Sequence, residues 1–393
     1  MNQWLVATLW VGLALAAGLI SVRTAISVSL LEIAMGVFGG NFLGLHTTEW
    51  TNFLAGFGAI LLTFMAGAEI DPDSLRRHLK PSLTIGCVAF LFPFLGAWAF
   101  AHWVAGWEMR AAWIAGIALS TTSVAVVYAV MVETGLNETE IGKLILAACF
   151  VNDLGTVLAL GAIFANYNAW LGLFVGVTTA VLVALPRLSR WFFRRFGGRV
   201  SELEIKFLFL LLFGLGGLAA TANSEPVLPA YLLGLAIAGL FAQHRDMVRR
   251  LRTAVFGVLT PFYFLKAGLF VSLSSVWAGA GLIGALFGVK MMTKLVGVWP
   301  LTRAFRFTMR EGNYTTLLMS TGLTFGTISA LFGLTRHVIT QSQYTILVTV
   351  VIGSAVVPTL IAQSFFTPSP DGRLGGQQEA GVSTQLAEAT ERV

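Results

Sequence analysis

Charge is almost absent from long stretches of this chain, and that scarcity constrains its fold more than any motif does. Between clusters of charged, Pro and Gly residues lie thirteen apolar runs, near residues 3–21, 25–44, 53–70, 81–105, 111–132, 140–165, 169–186, 204–221, 226–243, 253–273, 278–302, 310–333 and 343–366. Each approaches the roughly 20 residues that cross a hydrocarbon core as a helix. Only 11% of the 393 residues are charged and 56% are apolar, against roughly 25% charge in a soluble domain. The expectation is an all-α polytopic membrane protein of 13 transmembrane helices. A soluble enzyme is excluded, and no nucleophile–base pair, His cluster or metal-ligand spacing suggests a membrane-embedded one. Cys87 and Cys149 stand far apart inside apolar runs, with no spacing that suggests a zinc site or a disulfide framework. The first run lacks a basic flank and a small-residue cleavage site, so it reads as a retained helix rather than a signal peptide. Residues 368–393 are polar and are expected to form a disordered cytoplasmic tail.

The formal charge of +6 does not require nucleic acid as a partner, because a membrane protein reaches it through its cytoplasmic loops. Sixteen Lys and Arg fall in the loops of one face, with clusters at Arg76–Lys80, Arg187–Arg199 and Arg245–Arg252, whereas the other face carries Arg110 and Arg336. The asymmetry sets the N-terminus outside and the C-terminus in the cytoplasm, as an odd helix count demands. The expected location is the cell (inner) membrane.

The chain also matches itself at an offset of 201: Ala66-Gly67 with Ala267-Gly268, Gly96 and Trp98 with Gly297 and Trp299, Ile145-Leu146 with Ile346-Leu347. These shared registers suggest two six-helix repeats, 1–166 and 202–367, joined by a linker helix and basic cytoplasmic loop at 167–201. An odd linker inverts the second repeat in the membrane. Inverted repeats suit alternating access, since exchanging the conformations of two related halves moves an opening from one side to the other.

A charge at the bilayer centre costs about 2.5–3.5 kcal/mol on insertion scales, so each one within a run needs a reason. Removing loop and tail charges leaves Glu32, Glu69, Asp153, Lys266, Lys290, Lys294, Arg310 and Glu311. Asp153 lies roughly 20 Å from either end of its run at 1.5 Å per residue, which is the midplane. A carboxylate there either stays locked in an internal ion pair or holds a proton and a small hard cation in alternation. Asn152 beside it offers an amide oxygen, or a hydrogen bond between helices. Lys294 should pair with a carboxylate, contact an amide or titrate. Lys290, one turn earlier, reads as snorkelling or packing, and Lys266 has no assigned role. Ser120-Thr121-Thr122-Ser123 interrupts the fifth run and Gly312-Asn313-Tyr314-Thr315-Thr316 lies in the twelfth, both suited to broken helices lining a cavity. Arg310 and Glu311 either balance broken-helix dipoles or sit at the cytoplasmic interface.

Five short pieces carry a family resemblance through their order and spacing: Leu31-Glu32-Ile33-Ala34-Met35-Gly36, Phe64-Met65-Ala66-Gly67-Ala68-Glu69, Thr121-Thr122-Ser123-Val124, Val151-Asn152-Asp153 and Thr293-Lys294-Leu295-Val296-Gly297. The chain resembles, up to about residue 366, the monovalent cation:proton antiporter superfamily, in particular its thirteen-helix bacterial sodium/proton antiporters. The resemblance implies a core domain of spans four to six and eleven to thirteen sliding against a dimerisation domain made of the rest. Spans five and twelve would be crossing broken helices, with Thr122 at the first break and Asp153 beside the crossing as carrier. Glu32 and Glu69 resemble the acids of the second and third family helices, although Glu69 also sits at a cytoplasmic end. Two departures stand out. Electrogenic relatives carry Asp-Asp, the first Asp pairing with the equivalent of Lys294, where this chain has Asn152; electroneutral relatives carry Asn-Asp but commonly lack the lysine. The family's Arg-Gly-Glu becomes Glu311-Gly312-Asn313, with Arg310 displaced by one.

The expected function is exchange of a monovalent cation for protons by an elevator motion, leaning electroneutral. Sodium is the leading ion, with lithium and potassium as alternatives. Asp153 would carry Na+ or H+, Asn152, Thr122 and Ser123 would help coordinate, and Lys294, Glu32, Glu69, Arg310 and Glu311 would tune charge. No cofactor is expected, and the partners are the two ions, the lipid bilayer and a second copy of the chain. The rivals are a potassium/proton exchanger of the same fold, a sodium-coupled organic-anion symporter and an ion channel.

Overall fold

Long apolar runs with few breakers fold as helices, and the computed structural model of the chain contains no strand among the residues it describes, which are 2–24, 28–68, 79–136, 139–164, 169–199, 201–222, 224 and 226–368. The helices are α1 (Gln3–Thr24), α2 (Val28–Phe42), α3 (Glu49–Ala68), α4 (Leu79–Ala99), α5 (Met109–Ser120), α6 (Val124–Glu133), α7 (Glu140–Ile163), α8 (Ala169–Phe196) and α9 (Leu203–Thr221). They continue as α10 (Val227–Gln243), α11 (Arg245–Ala254), α12 (Thr260–Leu269), α13 (Leu273–Ala278), α14 (Ala280–Ala304), α15 (Met309–Met319), α16 (Thr324–Thr335) and α17 (Gln341–Phe365). Single π-helical turns, Phe100–Val104 and Val255–Leu259, extend α4 and join α11 to α12. Among the described residues nine helices are long and apolar enough to cross a membrane, with shorter apolar helices at Val28–Phe42, Met109–Ser120 and Val227–Gln243. The chain is a multi-pass membrane protein, built among the described residues almost wholly of apolar helices.

The chain gathers into two compact units, each discontinuous in sequence. The first comprises Met1–Asp73, Leu154–Ala278 and Thr340–Thr345. Two of its helix crossings are set by facing glycines. Between α3 and α10, a Cβ on Gly67 would strike the Tyr231 carbonyl and lie 3.0 Å from Leu235 N, while one on Gly234 would strike the Phe64 carbonyl. Between α2 and α12, a Cβ on Gly268 would strike the Ile33 carbonyl and lie 2.9 Å from Gly36 Cα. Here backbone packs on backbone, the approach that small residues permit inside a membrane. Around them, Trp10 stacks on Phe262 at 5.4 Å between ring centroids and Trp50 meets the same ring edge-on at 5.7 Å. On the outside of this unit Trp4, Leu5, Val11, Leu15 and Leu19 of α1 are exposed, as apolar residues facing lipid would be. Helix α8 buries Phe174, Thr178, Leu185, Ser189 and Phe193 on one face.

The second unit comprises Ser74–Asp153, Gly279–Ile339 and Ile346–Val393, and so collects the fourth and fifth runs, the first part of the sixth, the eleventh and twelfth, and most of the thirteenth. Its core contains Ile85, Val127, Leu144, Ile145, Cys149, Val298, Tyr314 and Leu318, all buried. Small residues again set the approach: a Cβ on Gly297 would lie 2.9 Å from Val88 Cγ1, and one on Gly86 would lie 2.6 Å from the Ala148 carbonyl oxygen. Element boundaries recur through this unit: α5 begins at Met109 and α15 at Met309, α6 at Val124 and α16 at Thr324, α7 at Glu140 and α17 at Gln341. Met109-Arg110 and Met309-Arg310 each open a helix, 200 residues apart, one fewer than the offset of the flanking matches.

The break of the twelfth run is not where the hydroxyl-rich Gly312–Thr316 stretch suggests. That segment is continuous helix within α15, because Thr316 Oγ1 donates back to the Gly312 carbonyl at 2.8 Å and Ser320 Oγ to Thr316 O at 2.7 Å, bonds that satisfy a hydroxyl without opening the helix. Helix stops at Met319 and resumes at Thr324. The fifth run breaks where expected, between Ser120 and Val124.

Candidate functional site at two helix breaks

The second unit brings the two breaks together. Thr122 Oγ1 donates to the Met319 carbonyl at 2.8 Å, and Ser123 N donates to Thr321 Oγ1 at 3.5 Å. A helix that stops leaves carbonyls and N–H groups without intrahelical partners, and at membrane depth these must be met by protein. Asn152 on α7 meets two of them. Its Oδ1 accepts from Thr122 N at 2.8 Å and its Nδ2 donates to the Ser120 carbonyl at 3.2 Å. The amide thus clips the first break from both sides, with its carbonyl and its NH2 both in use.

Asp153 follows on the same helix and is 1% exposed. Its Oδ1 is buried with no hydrogen-bond partner. Lys294 of α14, 0% exposed, is near enough for the two charges to act on each other, yet they form no ion pair within 4.0 Å. Lys294 Nζ instead donates to Thr122 Oγ1 at 2.9 Å. That hydroxyl therefore accepts from Lys294 and donates to Met319 O, holding the ammonium off the carboxylate. The locked ion pair considered for Asp153 is not formed. What remains is a buried carboxylate oxygen open to a proton or a hard cation, with a cation nearby that is tied to something else.

The other candidates are placed as follows. Ser123, 1% exposed, lies in the first break, its Oγ accepting from Val126 N at 3.4 Å. Lys290 is fully buried and donates to the Thr121 carbonyl at 3.4 Å, so it does not snorkel. Glu311 closes a capping box at the start of α15: Thr308 N donates to its Oε2 at 2.8 Å and Glu311 N donates to Thr308 Oγ1 at 3.3 Å. Arg310 beside it is exposed, and Asn313 Oδ1 accepts from Trp299 Nε1 at 2.9 Å. Glu32, 3% exposed, sits in α2 of the first unit, where Lys266 of α12 is partly exposed. Glu69 and the tail from residue 369 lie outside the described residues. Sequence reasoning missed Thr321, Gly322 and Ser354. The available signal was Ser120-Thr121 against Ser320-Thr321, a match visible at an offset of 200 and hidden at 201. Among the described residues no group of three or more His, Cys, Asp or Glu is placed to hold a metal ion.

Comparison with known proteins bears on this arrangement. The family model described as "Sodium/hydrogen exchanger, transmembrane" matches residues 11–367. A probable Na(+)/H(+) antiporter 3 of Methanocaldococcus jannaschii is 27% identical over 255 residues, 62% of this chain and 64% of the relative. The chain thus spans less than two thirds of that relative. The Na(+)/H(+)-K(+) antiporter GerN of Bacillus cereus is 23% identical over 363 residues, 89% of this chain and 92% of GerN. The solved structure of the sodium proton antiporter MjNhaP1 from Methanocaldococcus jannaschii superposes with a TM-score of 0.71 at 14% identity, covering 92% of this chain and 97% of that one. The shared fold is that of the helical bundle described above.

Proposed function

The chain belongs to the transmembrane sodium/hydrogen exchanger family, a family of transporters rather than enzymes, and on that premise we propose that it exchanges a monovalent cation, sodium first, for protons. The observation that carries the reading is the buried, unpartnered Oδ1 of Asp153 beside two helix breaks. A carboxylate in such surroundings binds a proton or a cation but not both. That exclusivity couples the two ions in opposite directions.

Asp153 is the carrier. Asn152 shapes the break that presents Thr122, and Ser123 and Thr122 supply oxygens at its edge. Lys294 rests on Thr122 and supplies positive charge near Asp153 while the site awaits an ion. With Asn152 neutral, one carboxylate handles both ions, so exchange is electroneutral. Movement is of the elevator type, a core domain of spans four to six and eleven to thirteen sliding against a dimerisation domain made of the rest, in a homodimer in the cell membrane with the N-terminus outside and the C-terminus in the cytoplasm. Glu32, Glu69, Arg310 and Glu311 adjust the field around the moving charges. The same carboxylate would accept potassium, and the name of GerN includes both ions; potassium/proton exchange is the second reading.

The test is purified protein in sealed proteoliposomes with an internal pH dye. Sodium, potassium or lithium is added outside, with and without a valinomycin clamp. Cation-driven proton flux in the wild type and none in Asp153→Asn is the expected result. Undiminished flux in Asp153→Asn refutes the assignment, and flux that follows the imposed potential refutes electroneutrality.

A further inference from the structure

Two lysines meet the breaks, and the antiport reading uses only one of them. Lys290 lies one helical turn before Lys294 on α14 and is 0% exposed. Its Nζ donates to the carbonyl of Thr121 at 3.4 Å, the residue that ends α5 in an extended conformation, φ −63° and ψ 149°. It also lies against Gly322 in the second break, where a Cβ would collide with the ammonium. The same Cβ position is 3.0 Å from Thr121 Oγ1 and 3.2 Å from Ser354 Oγ, so two hydroxyls share with the ammonium the space beside Gly322. Among the described residues no carboxylate lies within ion-pairing distance of Lys290. An ammonium held by a carbonyl at the end of a helix, with hydroxyls close by, occupies ground that suits a monovalent cation.

We propose that Lys290 is a positioning residue for exchange: a tethered cation that fills the oxygen-lined space between the two breaks and so fixes the Thr121–Thr122 segment against Gly322. The proposal rests on the reading of Asp153 as carrier. Lys290 touches no transported ion. It supplies, from the protein, the positive charge that the facing carbonyl and hydroxyl oxygens require, and it sets the geometry in which Thr122 carries Lys294. Gly322 is the complement, because a side chain there displaces the ammonium.

The experiment is exchange of radiolabelled sodium against unlabelled sodium in proteoliposomes, a readout that added amines do not disturb through the pH gradient. The variants are Lys290→Ala, Lys290→Met, Gly322→Ala and the Lys290→Met/Gly322→Ala double, with wild type and Asp153→Asn alongside and melting profiles on each. Each single variant is expected to lose about tenfold in rate, the scale of one charge-assisted hydrogen bond. The double is expected to be no slower than Lys290→Met, since the methyl at 322 then has no ammonium to displace. Methylammonium is expected to restore Lys290→Ala and to leave wild type and Asp153→Asn unchanged. Wild-type rates in both Lys290 variants, additive losses in the double, or a folded Lys290→Ala that methylammonium does not restore would each overturn the proposal. If Lys290→Ala does not fold, the Met and Gly322 cycle decides alone. Normal exchange by Asp153→Asn would instead remove the carrier assignment, whatever Lys290 does.

Discussion

Replacing Thr122 by Val keeps the shape of the first break and deletes one oxygen, and the structure shows what that oxygen holds. Its hydroxyl accepts from Lys294 Nζ at 2.9 Å and donates to the Met319 carbonyl at 2.8 Å. Loss of a hydrogen bond to a charged group costs about 1.5–3 kcal/mol, and a neutral one about 1 kcal/mol. The two together give about 2.5–4 kcal/mol, the lysine contact being the larger part because a buried ammonium is left without its acceptor. Thr122→Ser retains the oxygen and is expected to lose less than about 1 kcal/mol, the cost of one methyl group. The assay is denaturant unfolding of the purified variants in detergent, with Lys294→Met and the Thr122→Val/Lys294→Met double completing a cycle. If Thr122 carries the lysine, the double is less destabilised than the sum of the singles by about 1.5–3 kcal/mol, since the stranded charge is gone. Equal stability of Thr122→Val and wild type, or strict additivity in the cycle, would refute the bridge.

Asn152→Asp places a second carboxylate beside Asp153; it is expected to make proton flux respond to membrane potential, read with the pH dye under a potassium–valinomycin clamp. Gly67→Ala drives a methyl into the Tyr231 carbonyl and is expected to cost more than about 2 kcal/mol, whereas Gly12→Ala, with nothing within 4 Å of its Cβ, should be neutral or stabilising by up to about 1 kcal/mol; melting temperatures of the two separate the cases. Thr308→Ala removes half of the capping box on α15 and is expected to lower stability by about 1 kcal/mol, with exchange rate measured per folded protein unchanged.

The depth of Asp153 was legible in the sequence because the other charges of its helix, Glu140 and Lys143, lie in the first turn and its distance from both ends is fixed by the helical rise. The fifth-run break was legible for a related reason: Ser120–Ser123 is a local change of composition within a run long enough to span. What was not legible depends on which face of a helix meets which neighbour. Position along α14 puts Lys290 and Lys294 at similar depth, but only packing shows that both point inward and that each grips a different residue of one break. The twelfth-run break was misplaced because Thr315 and Thr316 look like a polar interruption, although a Thr hydroxyl can satisfy itself on its own helix. Glycine at 322, which carries no chemistry of its own, marks the true site. Asn152 reads from the sequence as an ion-coordinating amide or as a hydrogen bond between helices, and its role as a clip on two orphaned backbone groups required the break to be seen in place. Glu311 looked costly as a charge within an apolar run until it proved to close a helix start.

The length of α8 has a consequence of its own. Its 28 residues extend about 42 Å at 1.5 Å per residue, against a hydrocarbon thickness of about 30 Å. Arg187 follows Ala169 by about 27 Å of helix, and Arg187, Arg190, Arg194 and Arg195 then line one exposed face with Trp191. The guanidinium ladder begins where the oil ends. Sinking the helix by a turn would drag Arg187 toward hydrocarbon at a cost that rises to about 2.5 kcal/mol or more at the centre, while lifting it would pull the apolar start of the helix into water. The helix therefore acts as a depth gauge, holding its unit at one height in the bilayer and tying that height to the thickness of the surrounding lipid.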